Sequence, residues 1–190
     1  GLNSWIAVGY KTLHGWSLRG KEYGERLQVE EGIPEMTVEE LHVHLKQDKQ
    51  LYIFDTRTEP EFQTAHLPGA YCAPGGQLAL IAPEVVQDKT RTIVTNCAGR
   101  TRSLLGAHVL QRMGFTNVYA LKGGTGAWRI AGHTEELEKG DGAPLPQLSE
   151  AGITACNQFA EQVASEDAIP SIIPQELHTR QAAGELVYLL

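Results

Sequence analysis

The sequence has few cysteines, a deficit of basic residues and no long apolar run. Its three cysteines, Cys72, Cys97 and Cys156, are odd in number and lack paired spacing, which argues against a disulfide framework or a structural zinc site. The 16 Lys and Arg residues stand against 23 Asp and Glu residues, so the net charge of −7 argues against a dedicated nucleic-acid binder. No stretch approaches the roughly 18 consecutive apolar residues of a membrane helix, and we expect no membrane partner.

What is present is the composition of a globular domain. Hydrophobic residues make up 42% of the chain and charged residues 21%, which excludes a disordered acidic tail. The cysteines fit a reducing compartment, so we expect a cytoplasmic protein, with any targeting segment upstream of Gly1. His42 and His44 lie two apart on a predicted helix and point in different directions, and we expect neither a metal nor another cofactor.

Two sets of similar segments indicate that the chain contains parts of a repeated unit. Gly1, Trp5 and Gly9 recur at the same spacing as Gly124, Trp128 and Gly132. A second set recurs at a slightly longer offset: Ile33-Pro34, Glu40-Leu41-His42 and Tyr52 match Ile169-Pro170, Glu176-Leu177-His178 and Tyr188. The collinear order favours a true repeat over coincidence, which would make this chain a slice of a longer tandem protein.

The repeat predicts four segments. Residues 1–32 would be the tail of a preceding unit with its linker, and residues 33–140 one complete unit. Residues 141–169 would be a linker, and residues 170–190 the start of a following unit. The Gly- and Pro-rich stretch 141–150 is expected to be poorly packed or mobile.

Within the complete unit, strand and helix patterns alternate. Short apolar or β-branched runs predict strands at 51–54, 70–73, 92–95 and 117–121. Helical patterns are predicted from Thr37, over 59–65, over 101–113 and around Trp128. Strands and helices joined by short connections predict a parallel sheet covered by helices on both faces, with the chemistry in loops at the carboxyl ends of the strands.

One loop in that position has a composition suited to chemistry. The third predicted strand is followed by Asn96-Cys97-Ala98-Gly99-Arg100-Thr101-Arg102-Ser103 and then by a helix. Unpaired N–H groups of the helix start and a small Ala-Gly pair predict a nest for an anion, and the two arginines add positive charge. These features favour a stabilised thiolate at Cys97 over an inert cysteine that merely fills a strand end. Cys72 lacks such neighbours and is assigned to the core, and Cys156 shows no reactive setting.

Taken in order, these residues resemble the rhodanese-like domain family from about residue 33 to 135. The shared motifs are Asp55-Thr56-Arg57, Glu61-Phe62, His66-Leu67-Pro68-Gly69-Ala70, the Cys97 loop, Gly114-Phe115-Thr116-Asn117-Val118, Leu121-Lys122-Gly123-Gly124 and Trp128. Ala65 departs from the family, which more often has glycine there. The resemblance implies a three-layer α/β fold in which helices flank both faces of a central parallel sheet.

The resemblance also implies a sulfurtransferase that needs no cofactor. Cys97 would take sulfane sulfur from thiosulfate or a persulfide donor and pass it to a thiol or cyanide. The loop residues Ala98, Gly99, Arg100, Thr101 and Ser103 would hold the persulfide, and Arg102 would close the six-residue cradle. Asp55 and Arg57 are interpreted as structural supports with a smaller chance of touching substrate. Other rhodanese-like units of the same longer chain are the expected protein partners.

Two alternatives remain open. The first is a non-catalytic sulfur-carrier or regulatory module, although inactive copies usually lose the cysteine that this unit keeps. The second is a cysteine phosphatase of the same fold, whose loop from cysteine to arginine is one residue longer than the six residues from Cys97 to Arg102.

Overall fold

The computed structural model describes residues 19–47 and 51–186, and helices alternate with strands along most of that length. The elements follow one another as α1 (Arg19–Glu30), β1 (Glu35–Met36), α2 (Val38–Gln47), β2 (Tyr52–Asp55), α3 (Glu59–Thr64), β3 (Tyr71–Cys72), α4 (Gln77–Val85), β4 (Ile93–Asn96), α5 (Thr101–Arg112), β5 (Val118–Leu121), α6 (Gly124–Ile130), a 3₁₀ helix (Thr134–Glu136), α7 (Glu150–Glu166) and α8 (Pro174–Ala182).

The described strands form one five-stranded sheet in the order β1–β5–β4–β2–β3, and every neighbouring pair is parallel. From β2 the chain moves outward to β3 at one edge and then returns to β4 on the other side of β2. This reversal creates a switch point between the carboxyl ends of β2 and β4, which is where open α/β sheets bind their ligands. The predicted parallel sheet is confirmed.

Alternation along the strands divides the core into two layers. Ile53 and Val94 face one hydrophobic cluster, whereas their neighbours Phe54 and Ile93 face the other. Helices α2, α3 and α6 cover the first face, and α1, α4 and α5 cover the second. The buried Trp128 of α6 is among the largest side chains of the first cluster. The three-layer arrangement that the resemblance implied is therefore confirmed.

Among the elements from α1 to α6, three went unpredicted, each because its sequence signal is weak. Helix α1 buries Gly24 and Leu27 and is otherwise mostly polar, so it shows little apolar periodicity. Strand β1 has two residues. Helix α4 contains Pro83, which sequence rules treat as a helix breaker.

Residues 141–149 have no regular structure, yet contacts with the domain hold them at both ends. The Ala143 amide donates to the Ala70 carbonyl at 3.0 Å, and Ser149 Oγ donates to the Glu84 carboxylate at 2.6 Å. These contacts oppose the expectation that the stretch is poorly packed. Within the predicted linker 141–169, residues Glu150–Glu166 form helix α7.

The structure describes only part of the predicted repeat. Segment 1–18 and Tyr188 lie outside the described residues. The two Glu-Leu-His stretches are both helical, since one lies in α2 and the other in α8. Residues 154–190 form a separate unit, and no described residue of that unit is buried. The repeat and its four segments stay predictions.

Throughout the described ranges, each helix falls short of the length or the apolar character that a bilayer-crossing helix needs.

Candidate active site

Cys97 lies directly after β4, at the switch point of the sheet, and its side chain is almost fully buried at 2% exposure. Its Sγ donates a hydrogen bond to Ser103 Oγ across 3.6 Å. Ser103 Oγ in turn donates to the Arg100 carbonyl at 2.7 Å, and the Ser103 carbonyl accepts from Thr95 Oγ1 at 2.7 Å. The thiol is thus held at the end of a buried chain of hydrogen bonds rather than free to rotate.

The loop after Cys97 presents a row of unengaged backbone amides. Within the described ranges, the N–H groups of residues 98–103 donate no hydrogen bond to another residue. Helix α5 begins at Thr101, and no side chain caps it. The first amides of a helix lack partners inside the helix and carry partial positive charge, so this row can hold an anion or a thiolate. The nest predicted from the sequence has the backbone that such a site requires.

The start of α6 fixes the back of this loop. The amides of Thr125 and Gly126 donate to the carbonyls of Cys97 and Ala98 at 2.9 and 3.1 Å. Gly124 has a φ of +55°, and a Cβ there would lie 2.2 Å from the Cys97 carbonyl oxygen. Only glycine permits this approach. In the sequence, the Gly123-Gly124 pair belongs to the motifs of the family resemblance, and nothing there indicates this steric role.

Asp55 and Arg57 lie beneath the loop in a buried polar network. Arg57 donates to both carboxylate oxygens of Asp55, with Nη2 to Oδ2 at 2.7 Å, and to the Ala65 carbonyl at 2.7 Å. Asn96 Nδ2 donates to Asp55 Oδ2 at 2.8 Å and to Thr125 Oγ1 at 3.0 Å. The network joins the ends of β2 and β4 to α6, and the roles of Asp55 and Arg57 toward substrate stay predictions. Ala65 takes part through its carbonyl, which any residue in its place also supplies.

Arg100 forms ion pairs with two glutamates, one upstream of the predicted unit 33–140 and one near its start. Its Nη1 lies 2.6 Å from the Glu25 carboxylate and its Nε 3.1 Å from that of Glu35. Nη2 also donates to the side-chain oxygen of Gln28. These partners compensate the charge of the guanidinium, and the side chain ties the loop to α1 and β1.

Arg102 is likewise paired, here with Glu61 on α3. Its two terminal nitrogens donate to the two carboxylate oxygens at 2.8 and 2.9 Å. These hydrogen bonds, with a smaller contribution from Thr58, lower the pKa of Glu61 to about 2, and they raise the pKa of Arg102. Carboxylates therefore partly compensate the positive charge that the sequence places on both arginines, and the backbone amides of the loop add to what remains.

An open cleft of about 800 Å³ lies over the loop. It is lined by the loop residues Cys97 to Arg102, by Gly123 and by Gly20, Lys21 and Glu25 of α1. Lys21 is exposed there and forms no ion pair with a described residue. Sequence reasoning missed Lys21 and Glu25, because nothing in the polar sequence of α1 indicates which loop it packs against.

The other two cysteines differ from Cys97 in their setting. Cys72 is half-buried beside Asp55 and Glu59, and burial first, then the two carboxylates, raise the pKa of its thiol to about 11. Cys156 lies on α7. Among the described residues one cluster has metal-ligand spacing, and no cysteine belongs to it.

Known proteins match this chain at the sequence and the structural level. The sequence profile of the rhodanese-like domain matches residues 37–131. The putative sulfur carrier protein YrkF of Bacillus subtilis is 30% identical over 103 residues, which cover 54% of either protein. Thiosulfate sulfurtransferase GlpE of Shewanella oneidensis is 32% identical over 89 residues, which cover 47% of this chain and 86% of GlpE.

A solved thiosulfate sulfurtransferase from Pseudomonas aeruginosa superposes with a TM-score of 0.79 at 31% identity. The match covers 96% of this chain but 34% of that protein. The chain thus spans about half the length of YrkF and about a third of the Pseudomonas protein.

Proposed function

Because the chain belongs to the rhodanese-like domain family, we propose that it is a sulfurtransferase that carries sulfane sulfur as a persulfide on Cys97. One observation carries the proposal. The Cys97 thiol lies at the mouth of a helix start whose amides, from Ala98 to Ser103, are unengaged in the described chain. Such a cradle stabilises a thiolate before the reaction and a persulfide anion after it.

In the first step, the Cys97 thiolate attacks the outer sulfur of the donor. With thiosulfate, a new S–S bond forms at Sγ, the old S–S bond breaks, and its electron pair leaves with sulfite. With a persulfide donor, the leaving group is the donor's thiolate. The terminal sulfur now on Cys97 carries the negative charge, and the loop amides hold it.

In the second step, an acceptor nucleophile attacks the terminal sulfur. Cyanide leaves as thiocyanate, and a thiolate leaves as a new persulfide. The electron pair of the broken S–S bond returns to Cys97 Sγ, so the enzyme is regenerated. Two half-reactions on one covalent intermediate predict ping-pong kinetics.

The side chains around the loop shape the cradle and set its charge. Arg102 anchors one side of the cradle through Glu61. Arg100 anchors the other side through Glu25 and Glu35. Ser103 Oγ is within reach of Sγ and can turn its hydroxyl hydrogen toward a thiolate. Lys21 faces the cleft as an exposed cation, and we assign it the attraction of the anionic donor.

The relatives support a function in sulfur transfer, and experiment has to decide between an enzyme and a sulfur carrier. GlpE is described as a thiosulfate sulfurtransferase and YrkF as a putative sulfur carrier. A carrier would hold sulfur on its cysteine without passing it to cyanide, whereas an enzyme completes both steps. A cytoplasmic setting and further rhodanese-like units of the same chain as partners remain part of this proposal.

Intact-mass spectrometry after thiosulfate treatment tests the persulfide. We expect the 190-residue chain to gain the mass of one sulfur atom and a thiocyanate assay to show turnover with cyanide. The Cys97→Ser variant should lose both. Cys72→Ser is the matched control, because its thiol lies outside the cleft and should be spared.

The alternatives correspond to different outcomes of the same assay. A sulfur gain that persists in Cys97→Ser would show that another residue is the carrier. A gain on Cys97 without thiocyanate formation would favour the sulfur-carrier function. Hydrolysis of p-nitrophenyl phosphate without sulfur transfer would identify a phosphatase, against the six-residue length of the loop.

A further inference from the structure

A cluster of two histidines and one glutamate lies on the sheet face that α2 and α6 cover. His42 projects from α2, and His133 and Glu136 come from the turn and 3₁₀ helix after α6. His42 Nε2 lies 3.1 Å from the Glu136 carboxylate, and His133 Nδ1 lies 3.2 Å from the same group. One ligand atom from each of the three residues lies within 4.8 Å of the others.

Buried structure holds these groups in place. Trp128, which is fully buried, donates from Nε1 to the His133 carbonyl at 2.9 Å and accepts the His133 amide at its own carbonyl at 3.2 Å. The Glu136 amide also donates to the His133 carbonyl, at 3.1 Å. The His42 ring packs edge-on against the Trp128 ring with centroids 5.7 Å apart. Fixed supports of this kind orient ligands at metal sites.

The spacing suits a small divalent ion. With metal–ligand bonds of about 2.0–2.1 Å and tetrahedral angles, two ligand atoms lie roughly 3.3 Å apart. The two histidine–carboxylate separations of 3.1 and 3.2 Å are close to this value. The side chains are 19%, 22% and 43% exposed for His42, His133 and Glu136, so water can reach a fourth position.

We propose that His42 Nε2, His133 Nδ1 and the Glu136 carboxylate bind one divalent transition-metal ion of the Zn²⁺ type. Two imidazoles and one carboxylate form the donor set that Zn²⁺, Co²⁺ and Ni²⁺ accept, whereas Mg²⁺ and Ca²⁺ prefer oxygen ligands alone. In the sequence, His42 and His44 lie two apart and point in different directions, a spacing from which no metal is expected. The structure pairs His42 with residues more than 90 positions away, since Glu136 is 94 residues further along the chain.

The ion would act at a distance from the thiol. Helix α6 begins at Gly124 against the Cys97 loop, and His133 follows its other end, after seven helical residues or roughly 10 Å. A metal there would link α2 to the end of α6 and so stabilise the layer built around Trp128. The site is independent of sulfur transfer, and its test needs no enzymatic readout.

Calorimetric titration of the full, untagged chain with Zn²⁺, and absorption spectra with Co²⁺, test this site. We expect one ion per chain, a rise in melting temperature with Zn²⁺, and a Co²⁺ spectrum without thiolate charge-transfer bands. His133→Ala and His42→Ala should weaken Zn²⁺ binding more than about tenfold. His44→Ala is the matched control, because it removes a histidine from the same helix outside the cluster.

If a histidine-to-alanine variant does not fold, Glu136→Gln still tests the site. This substitution keeps the shape of the exposed side chain and removes its charge. It should retain the fold, as shown by circular dichroism, and lose Zn²⁺ affinity. Equal affinities for the native chain and for Glu136→Gln would overturn the proposal. Thiolate bands with Co²⁺, or binding that disappears in Cys97→Ser, would also overturn it by assigning the metal to a cysteine.

Discussion

At the scale of single residues, the backbone shape of the Cys97 loop depends more on Gly124, which lies outside the loop, than on Arg100 and Arg102 within it. Each arginine is tied to carboxylates, so neither offers an unpaired positive charge to a substrate. Gly124, by contrast, decides whether the loop backbone can lie where it does, since its missing Cβ leaves room for the Cys97 carbonyl. The shape of the amide cradle is therefore set from the start of α6.

We expect Gly124→Ala to abolish sulfur transfer and to destabilise the fold by more than the cost of a positive φ alone. Gly140→Ala is the control, because Gly140 has a φ of +90° but open space around its Cβ position. That variant should lose about 1–2 kcal/mol and keep its activity. Denaturant unfolding measures the loss of stability, and the thiocyanate assay measures the loss of sulfur transfer. Equal losses in the two variants would refute the steric argument.

The Glu61–Arg102 pair gives a pH dependence whose sign follows from the structure. Because the folded-state pKa of Glu61, about 2, lies below the ordinary value of 4.5, ionised Glu61 stabilises the fold above about pH 4.5. The contribution is lost as the pH falls from there toward 2. Both side chains are about two-fifths exposed, so solvent screening limits the effect to less than about 1 kcal/mol.

Glu61→Gln should accordingly lower the free energy of unfolding at pH 7 and have little effect near pH 2. Urea unfolding at a series of pH values measures the difference between the variant and the native chain. Glu59→Gln, on the same helix and without an arginine partner among the described residues, is the control. A Glu61→Gln deficit that grows on acidification would contradict the assigned sign.

At the scale of elements, α1 completes the cleft although it precedes the predicted unit. Gly24 lies so close to α5 that a Cβ would come within 2.9 Å of the Thr101 methyl group, and Leu27 enters the core beneath. This packing brings Glu25 to Arg100 and Lys21 to the mouth of the cleft. The helix therefore contributes to the electrostatics of the site.

We expect Lys21→Ala to raise the KM for thiosulfate about two- to fivefold and to leave kcat nearly unchanged. The lysine attracts the donor anion without touching the reacting sulfur, and an exposed charge contributes no more than about 1 kcal/mol. Steady-state kinetics at low and high salt provide the measurement. Lys46→Ala, which removes an exposed lysine of α2 outside the cleft, should behave as the native chain. A fall in kcat at constant KM would assign Lys21 a different role.

At the scale of the whole molecule, local patterns were enough to predict four of the five described strands, the helices α2, α3, α5 and α6, and the Cys97 loop. A strand of β-branched residues can be recognised from a few consecutive positions. The same holds for a cysteine that is followed by small residues and a helix start. The partners of Arg100, the steric role of Gly124 and the pairing of His42 with His133 depend on long-range packing. Such contacts leave no periodic signal in a single sequence.

The anchoring of Arg100 has a consequence for where the protein can be cut. A fragment that began at Ile33 would keep every motif of the family profile, yet it would lose Glu25 and Gln28 from the guanidinium and uncover the core beneath Leu27. Arg100, on one side of the Cys97 loop, would then keep Glu35 as its remaining described carboxylate partner. The segment upstream of the region that the family profile matches thus supports the Cys97 loop through two partners of Arg100, so a truncation there would weaken this support although it removes no family motif.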